Sequence, residues 1–264
     1  MLTVARGGSR GVFAAVLLRG SSAPLVYLVG RFWMGHDRPA STTSFPPAGR
    51  TSAAATEDHL SATDWAQFRG PDNLRSNSET VPLQWSDTEN LLWKKGLPGP
   101  GSSSPIVVGD KVIITCYSGY GIDARSPGEK NKLKRHILCL DRASGDTLWS
   151  HTVDSNGKDD SFSGYLTEHG FASHTPVSDG KMVYAVCGKS GVYAYTIEGE
   201  QKGHVNVGQR SDSRRWGSSA SPILWGNTVI VNASSESRAV FAFNKETGAE
   251  VWKADAESLD LCYG

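Results

Sequence analysis

The apolar residues of this chain fall in short runs that are separated by glycine, asparagine, aspartate and proline. Gly226 and Asn227 form a two-residue hairpin signal, and Asn244 to Gly248 (NKETG) has the residues of a tight turn. The region around these turns therefore predicts four short antiparallel strands, which are Ser221–Trp225, Thr228–Ala233, Ala239–Phe243 and Glu250–Lys253.

Two earlier regions repeat this pattern, and all three open with a Ser-Pro or Thr-Pro step at Ser104, Thr175 and Ser221. The first unit predicts the strands Ser104–Val108, Val112–Tyr117, His136–Leu140 and Thr147–His151. The second unit predicts the strands Thr175–Val177, Met182–Cys187 and Val192–Tyr195. The segment that follows them, residues 196–201, has no tryptophan. A period of tens of residues indicates a repeat architecture.

The middle strands of the units are almost continuously apolar, as in Val112–Cys116, Met182–Val186 and Val229–Val231. Such runs are typical of strands that are covered on both faces. Small four-stranded sheets covered in this way stack as the blades of a propeller. We therefore predict an all-β fold, a partial β-propeller of three full blades plus one closing strand near Asn90–Lys94. Because a propeller needs at least four blades to close, we expect the chain to be part of a longer propeller.

The first sixty residues differ in composition from the rest. Residues 1–36 contain arginines but no acidic residue, and their apolar stretches are too short for a membrane span. A secretory signal, an organellar transit peptide and a wrongly assigned start codon all remain open for this segment. Residues 37–63 predict a linker, so that the N-terminal part is expected to be disordered and the propeller domain to cover residues 64–264.

Composition and charge exclude several classes of protein. Aromatic residues at 9% and hydrophobic residues at 38% suffice for a packed core. The formal net charge is zero, which argues against a nucleic-acid partner. The four cysteines lack metal-site spacing, and His169 and His174 alone do not form a metal signature, so we predict no metal site.

The phrase D/N-x-x-S/T-G-x-x-x-W, at Asp141–Trp149 and Asn244–Trp252, follows an apolar strand in each case. Together with the S/T-P strands it resembles the pyrroloquinoline-quinone (PQQ) type β-propeller repeat over residues 65–264. The segment Trp65–Pro71 (WAQFRGP) is similar to the start of secreted, planctomycete-like members. The resemblance implies that Trp149, Trp252 and, upstream, Trp93 each pack against a neighbouring blade.

The resemblance leaves three functions open. True quinoprotein dehydrogenases of this family oxidise alcohols or sugars with PQQ and calcium, and they carry a vicinal disulfide that this chain lacks. Other members are scaffolds that bind no quinone, and some propellers serve as sensors in kinase-linked receptors. We predict a non-catalytic, extracytoplasmic binding or scaffold module without a cofactor, with the quinoprotein dehydrogenase and the kinase-linked sensor as alternatives.

Function is expected where the repeats differ, on the face of the propeller that carries the entrances to the innermost strands. His174, Arg215 and Trp216 lie there and are the candidate residues for binding a protein or a small molecule. The polar insertion Ser118–Arg135 predicts a solvated loop, with a partner-binding finger as the alternative. No G-x-S-x-G motif supports a hydrolase, so no catalytic residue is predicted.

Overall fold

The computed structural model describes residues 14–16, 59–61, 63–71, 84, 86 and 89–263. The predicted targeting segment (1–36) and linker (37–63) lie almost wholly outside these residues. One short pairing involves the N-terminal part, in which strand β1 (Ala14–Val16) runs antiparallel to β2 (Lys94–Gly96). Strand β2 therefore begins at Lys94, where the closing strand predicted over Asn90–Lys94 ends.

Three four-stranded antiparallel sheets follow, each with its strands in chain order. The first blade consists of β3 (Ile106–Val108), β4 (Lys111–Ser118), β5 (Lys134–Asp141) and β6 (Thr147–Asp154). The second consists of β7 (Val177–Ser178), β8 (Met182–Val186), β9 (Val192–Thr196) and β10 (Gln201–Val205). The third consists of β11 (Ile223–Trp225), β12 (Thr228–Ala233), β13 (Ala239–Asn244) and β14 (Glu250–Asp255). The predicted all-β partial propeller is confirmed.

In the residues that the structure describes, helical structure is confined to single turns. The α-helical turns are α1 (Leu166–His169) and α2 (Ser234–Ser237), and 3-10 turns cover Lys130–Lys132, Gly188–Ser190 and Glu257–Leu259. Among the residues that the structure describes, no helix is long and apolar enough to cross a membrane.

The blades stack face to face. One apolar cluster joins the first blade to the second, with Ile113 and Cys139 packed with Val183 and Tyr195. A second cluster joins the second blade to the third. Strands β4 and β8 are accordingly buried on both faces, as predicted. Strand β12 differs because its residues alternate between buried and half-buried, and no further blade covers its outer face in the described part of the chain.

The Ser/Thr residues of the S/T-P steps connect the innermost strands. The backbone N–H of Ser104 donates to Oγ1 of Thr175 at 2.9 Å, and the N–H of Thr175 donates to Oγ of Ser221 at 3.0 Å. The hydroxyls of Thr175 and Ser221 thus each accept a backbone N–H of the preceding blade. No strand within the preceding blade's own sheet could accept that N–H. The repeat of Ser or Thr before proline is explained by this inner row of hydrogen bonds.

Trp93 and Trp149 pack on the tight turn of the next blade, as the resemblance implied. The Nε1–H of Trp93 donates to the carbonyl of Arg142 at 2.9 Å, and that of Trp149 to the carbonyl of Ile197 at 3.0 Å. Each indole lies on a glycine of that turn, where a Cβ atom would come within about 2.6 Å of the ring. Such close approach requires glycine. Trp252 has no such turn beneath it in the described chain, and it is 42% exposed.

Residues 59–71 lie beside the innermost strands of the first two blades. Trp65 exchanges two backbone hydrogen bonds with Val107, at 2.8 and 2.9 Å, and the N–H of Ser178 donates to the carbonyl of Ala66 at 2.9 Å. The carboxylate of Asp64 accepts the N–H of Gly109 at 2.8 Å. This segment therefore joins the inner edges of two blades.

The strand order gives the sheets two different ends. Because neighbouring strands run antiparallel, the connections between blades and those between second and third strands share one end, here called the loop face. The loop face comprises residues 119–133, 155–176, 187–191, 206–222 and 234–238. The tight turns lie at the opposite end, the turn face. There Asp141 and Asn244 accept backbone N–H groups of their own turns at 2.8–3.0 Å, as their turn position predicts.

Candidate functional site

Buried charged groups concentrate on the loop face. Six Asp, Glu, Lys or Arg residues there are at least nine-tenths buried, as is His174; the six are Arg135, Asp159, Asp160, Lys189, Asp212 and Glu236. They come from the first residues of β5, from both connections between blades, from the turn Gly188–Ser190 and from α2. Burying a charge is costly unless it is paired and hydrogen-bonded, so these groups must satisfy one another.

Arg135 and Asp159 form a buried ion pair, with Nη2 of Arg135 at 2.5 Å from Oδ1 of Asp159. Nε of Arg135 donates to the carbonyl of Phe171 at 2.9 Å, and Oγ of Ser155 donates to Oδ2 of Asp159 at 2.6 Å. Burial alone would raise the pKa of Asp159, but the charge and hydrogen bond of Arg135 outweigh it and hold the pKa below its usual value. The pair ties the first blade to the connection that follows it.

Lys189 and Asp160 form a second buried ion pair at 2.7 Å. Nζ of Lys189 also donates to Oγ of Ser211 at 2.8 Å, and this hydroxyl donates to Oδ1 of Asp160 at 2.6 Å. A backbone carbonyl, that of Lys158, accepts from Nζ at 3.1 Å. The second blade is thereby fixed to both adjoining connections. Arg135, Asp159, Asp160 and Lys189 are called the ionic cluster below.

His174, a predicted site residue, is 4% exposed. Its Nε2 lies 3.1 Å from Oγ of Ser218, and that hydroxyl donates to the buried carboxyl group of Glu236. When the Glu236 carboxyl is ionised it accepts the serine proton, so Nε2 of His174 donates to Ser218 and offers the serine no lone pair as a base.

The environment of His174 also fixes its charge. Burial lowers its pKa to about 3, and the nearby positive charges of Arg135 and His169 act in the same direction. Burial likewise raises the pKa of Glu236, against the hydrogen bond from Ser218. His174 is therefore neutral at physiological pH and serves as an uncharged member of the interface between the second and third blades.

Arg215 and Trp216 are the other predicted site residues. Arg215 is exposed and adopts a positive φ of 55°. Trp216 is half-buried, and its carbonyl lies 2.8 Å from Nε2 of His169. The structure thus brings Trp216 to His169 rather than to His174, whose partner is Ser218.

An exposed group of aromatic and cationic side chains surrounds Trp216. The guanidinium of Arg214 lies 4.9 Å from the centre of the Trp216 ring, and the Tyr165 ring centre lies 5.3 Å from it. Tyr165 is 48% exposed and Arg214 is exposed as well. We call Tyr165, Arg214 and Trp216 the aromatic patch. Sequence reasoning missed Tyr165, because it lies in the long connection after the first blade, far from Trp216 along the chain.

The insertion Ser118–Arg135 is anchored more firmly than predicted. Tyr120 and Leu133 are buried, and the hydroxyl of Tyr120 accepts the N–H of Phe162 at 2.8 Å. Lys132 and Lys134 are exposed, which agrees with a solvated basic loop. Arg135 departs from that prediction, because it lies in β5 and its charge is buried against Asp159.

No cluster of three or more His, Cys, Asp or Glu side chains suited to a metal ion occurs in the described residues. Cys116, Cys139 and Cys187 are buried thiols whose pKa burial raises to about 12. Such thiols are unreactive and serve as small core residues.

Comparison with known proteins agrees with the repeat. A PQQ-repeat family model described as "Outer membrane protein assembly factor BamB" matches residues 131–259, just under half of the chain. No curated protein matches the sequence.

Several solved structures show a distant likeness. A europium-containing methanol dehydrogenase is 16% identical with a TM-score of 0.39, and the match covers 59% of this chain and 25% of that one. BamB from Moraxella catarrhalis is 17% identical with a TM-score of 0.37, covering 62% and 42%. A quinohemoprotein alcohol dehydrogenase from Comamonas testosteroni is 16% identical with a TM-score of 0.38, covering 60% and 21%. The chain spans less than half the length of each of these structures. Its family match and its three antiparallel blades identify it as a PQQ-like β-propeller repeat protein.

Proposed function

We propose that this chain belongs to a non-catalytic binding propeller that acts outside the cytoplasm and recognises a protein through the aromatic patch on its loop face. The observation that carries the proposal is the aromatic patch itself, in which the exposed Tyr165 and the half-buried Trp216 lie together beside an exposed arginine. Tyr, Trp and Arg are the residues that dominate the binding energy of protein interfaces. Each offers large contact area together with a polar end.

The buried charges of the loop face support a binding role. The ionic cluster forms two ion pairs, the His174–Ser218–Glu236 row is linked by hydrogen bonds, and both join successive blades. Groups used in this way hold the connections rigid, and a binding surface on a rigid support loses less entropy when its partner binds. The fixed connection 155–176 presents Tyr165, and the connection 206–222 presents Trp216.

The placement outside the cytoplasm rests on the matching family model, whose description names an outer membrane assembly factor. Proteins that act there are exported, and the secretory interpretation of residues 1–36 is consistent with that route. Fractionation of cells that express the full-length gene, with a cytoplasmic marker protein as control, tests the placement directly.

Site-specific photo-cross-linking tests the binding surface. The photoreactive residue p-benzoylphenylalanine replaces Tyr165 in the full-length protein, and in a matched variant it replaces Trp225. Trp225 is 73% exposed at the turn face, so both positions present an exposed aromatic residue at opposite ends of the blades. We expect a discrete cross-linked protein adduct from position 165 and none from position 225. Equal adducts from both positions, or none from position 165, would contradict the proposal.

A further inference from the structure

The second blade lacks the tryptophan that joins the other blades to their neighbours. Trp149 and Trp252 each pair with the third strand next to a β-bulge, opposite Cys139 and Ala242. In the second blade the residue at this register is Gly203, which pairs with Ala194 beside the bulge in β10. Counting agrees, because each of these residues lies four positions after the glycine of its tight turn. Gly203 thus stands where an indole is expected.

A tyrosine supplies the hydrogen bond that the missing indole would make. Trp93 and Trp149 donate to the carbonyl of the second residue in the next tight turn, which is Lys245 in the third blade. The hydroxyl of Tyr184 donates to that carbonyl at 2.9 Å. Tyr184 pairs with Ala194, which pairs with Gly203, and Tyr184 therefore lies in the same row of the sheet as Gly203, two strands further inward.

Because Tyr184 makes the hydrogen bond and Gly203 has no side chain, space remains beside Gly203. A Cβ atom at Gly203 would meet nothing within 4 Å. A cavity of about 110 Å³ lies there, between β10 and the tight turn of the third blade. Apolar side chains form much of its wall, among them Met182, Val205, Val229 and Phe243. The other two interfaces that have a tight turn hold an indole at the equivalent place.

Three polar groups of the wall already have partners. The Tyr184 hydroxyl is bound to the Lys245 carbonyl, Nζ of Lys245 lies 2.9 Å from Asp179, and Nε2 of His204 lies 2.7 Å from the carbonyl of Ser190. The wall as a whole is mixed, because Lys202, Asn244, Glu246 and Thr247 line the cavity beside the apolar side chains. Its chemistry favours an uncharged ring that has an apolar face and a polar edge.

We propose that this cavity is a binding site for a small planar aromatic molecule, with indole as the type. At the two neighbouring interfaces a flat ring fits the equivalent place, because an indole lies there on the glycine of the tight turn. Gly248 is the equivalent glycine in the third blade, and its nearest neighbour is the Val205 side chain, 3.3 Å from the place of a Cβ atom, instead of a ring. The ligand lies between β10 and this turn, and it replaces the side chain that the repeat lacks. This site lies away from the loop face and is independent of the proposed protein partner.

The test uses 5-fluoroindole and ¹⁹F NMR with the full chain. We expect saturable binding and ¹H–¹⁹F nuclear Overhauser effects from the ligand to the methyl groups of Val205 and Val229. Binding that does not saturate, or Overhauser effects only to methyl groups elsewhere, would overturn the proposal.

Matched glycine substitutions locate the site. Gly203→Trp fills the cavity and is expected to weaken the binding of 5-fluoroindole by at least about tenfold, which is about 1.4 kcal/mol. Gly96→Trp is the control, because a Cβ atom at Gly96 also meets nothing within 4 Å and its φ is likewise ordinary. It should bind like the unaltered protein. Ala194→Leu narrows the cavity from the adjacent strand and decides the question should Gly203→Trp not fold. Unchanged affinity in a folded cavity-filling variant would refute the site.

Discussion

Removing the carboxylate of the buried pair on the loop face should destabilise the propeller strongly. In Asp159→Asn the guanidinium of Arg135 keeps its position, with a side chain 6% exposed, and loses its counter-ion. One Nη atom of Arg135 already lacks a hydrogen-bond partner among the described residues. Breaking a buried pair from one side typically costs about 3–5 kcal/mol, because the remaining charge stays buried. We expect a loss of that size in the free energy of unfolding.

Asp154→Asn is the matched control for this experiment. Asp154 pairs with Lys134, the residue before Arg135, at 2.8 Å, but the two side chains are 75% and 49% exposed. Pairs exposed to solvent contribute less than about 1 kcal/mol. Guanidinium denaturation followed by tryptophan fluorescence measures both variants, and equal m-values validate the comparison. If Asp159→Asn and Asp154→Asn lower the free energy of unfolding equally, burial does not determine the cost of losing the ion pair.

The remaining predictions concern the blade interfaces. Trp149→Phe leaves the Ile197 carbonyl without its indole donor and should cost about 1–3 kcal/mol in thermal or chemical unfolding. The exposed Trp252→Phe should change stability by less than about 0.5 kcal/mol, and similar losses in the two variants would contradict the packing role. His174 is neutral when folded but protonates in the unfolded chain below its ordinary pKa of 6.5, so stability falls as the pH falls. Between about pH 7 and pH 5 the native protein should lose about 2 kcal/mol more than His174→Gln, and parallel pH–stability curves would refute this assignment.

The strands were predictable because their signals are local. Thr228–Ala233 has the predicted bounds, and Ala239–Asn244 exceeds its prediction by one residue. Hairpin glycines, Asx residues and the S/T-P steps act over a few positions, so one sequence suffices to place them. The sequence also shows that the second blade lacks the tryptophan, but it does not show that a cavity results. The cavity beside Gly203 depends on Tyr184 and on the turn of another blade.

The buried charges of the loop face were not predictable in the same way. Residues 234–238, which lie between two predicted strands, contain α2, and Glu236 within it is 3% exposed. Arg135 was expected in a solvated loop, and its partners Asp159 and Phe171 lie 24 and 36 residues further along the chain. Whether a charged residue is buried depends on which segments the fold brings over it, and composition does not contain that information.

Titration of the full-length protein with PQQ in the presence of Ca²⁺ tests directly the proposal that this propeller is not a quinoprotein dehydrogenase. Equilibrium dialysis measures the bound quinone by its absorbance, and a dye-linked assay with alcohols and sugars follows on the same sample. We expect no saturable binding of PQQ and no dye reduction above the level of protein without PQQ. Saturable binding with dye-linked dehydrogenase activity would contradict the proposal.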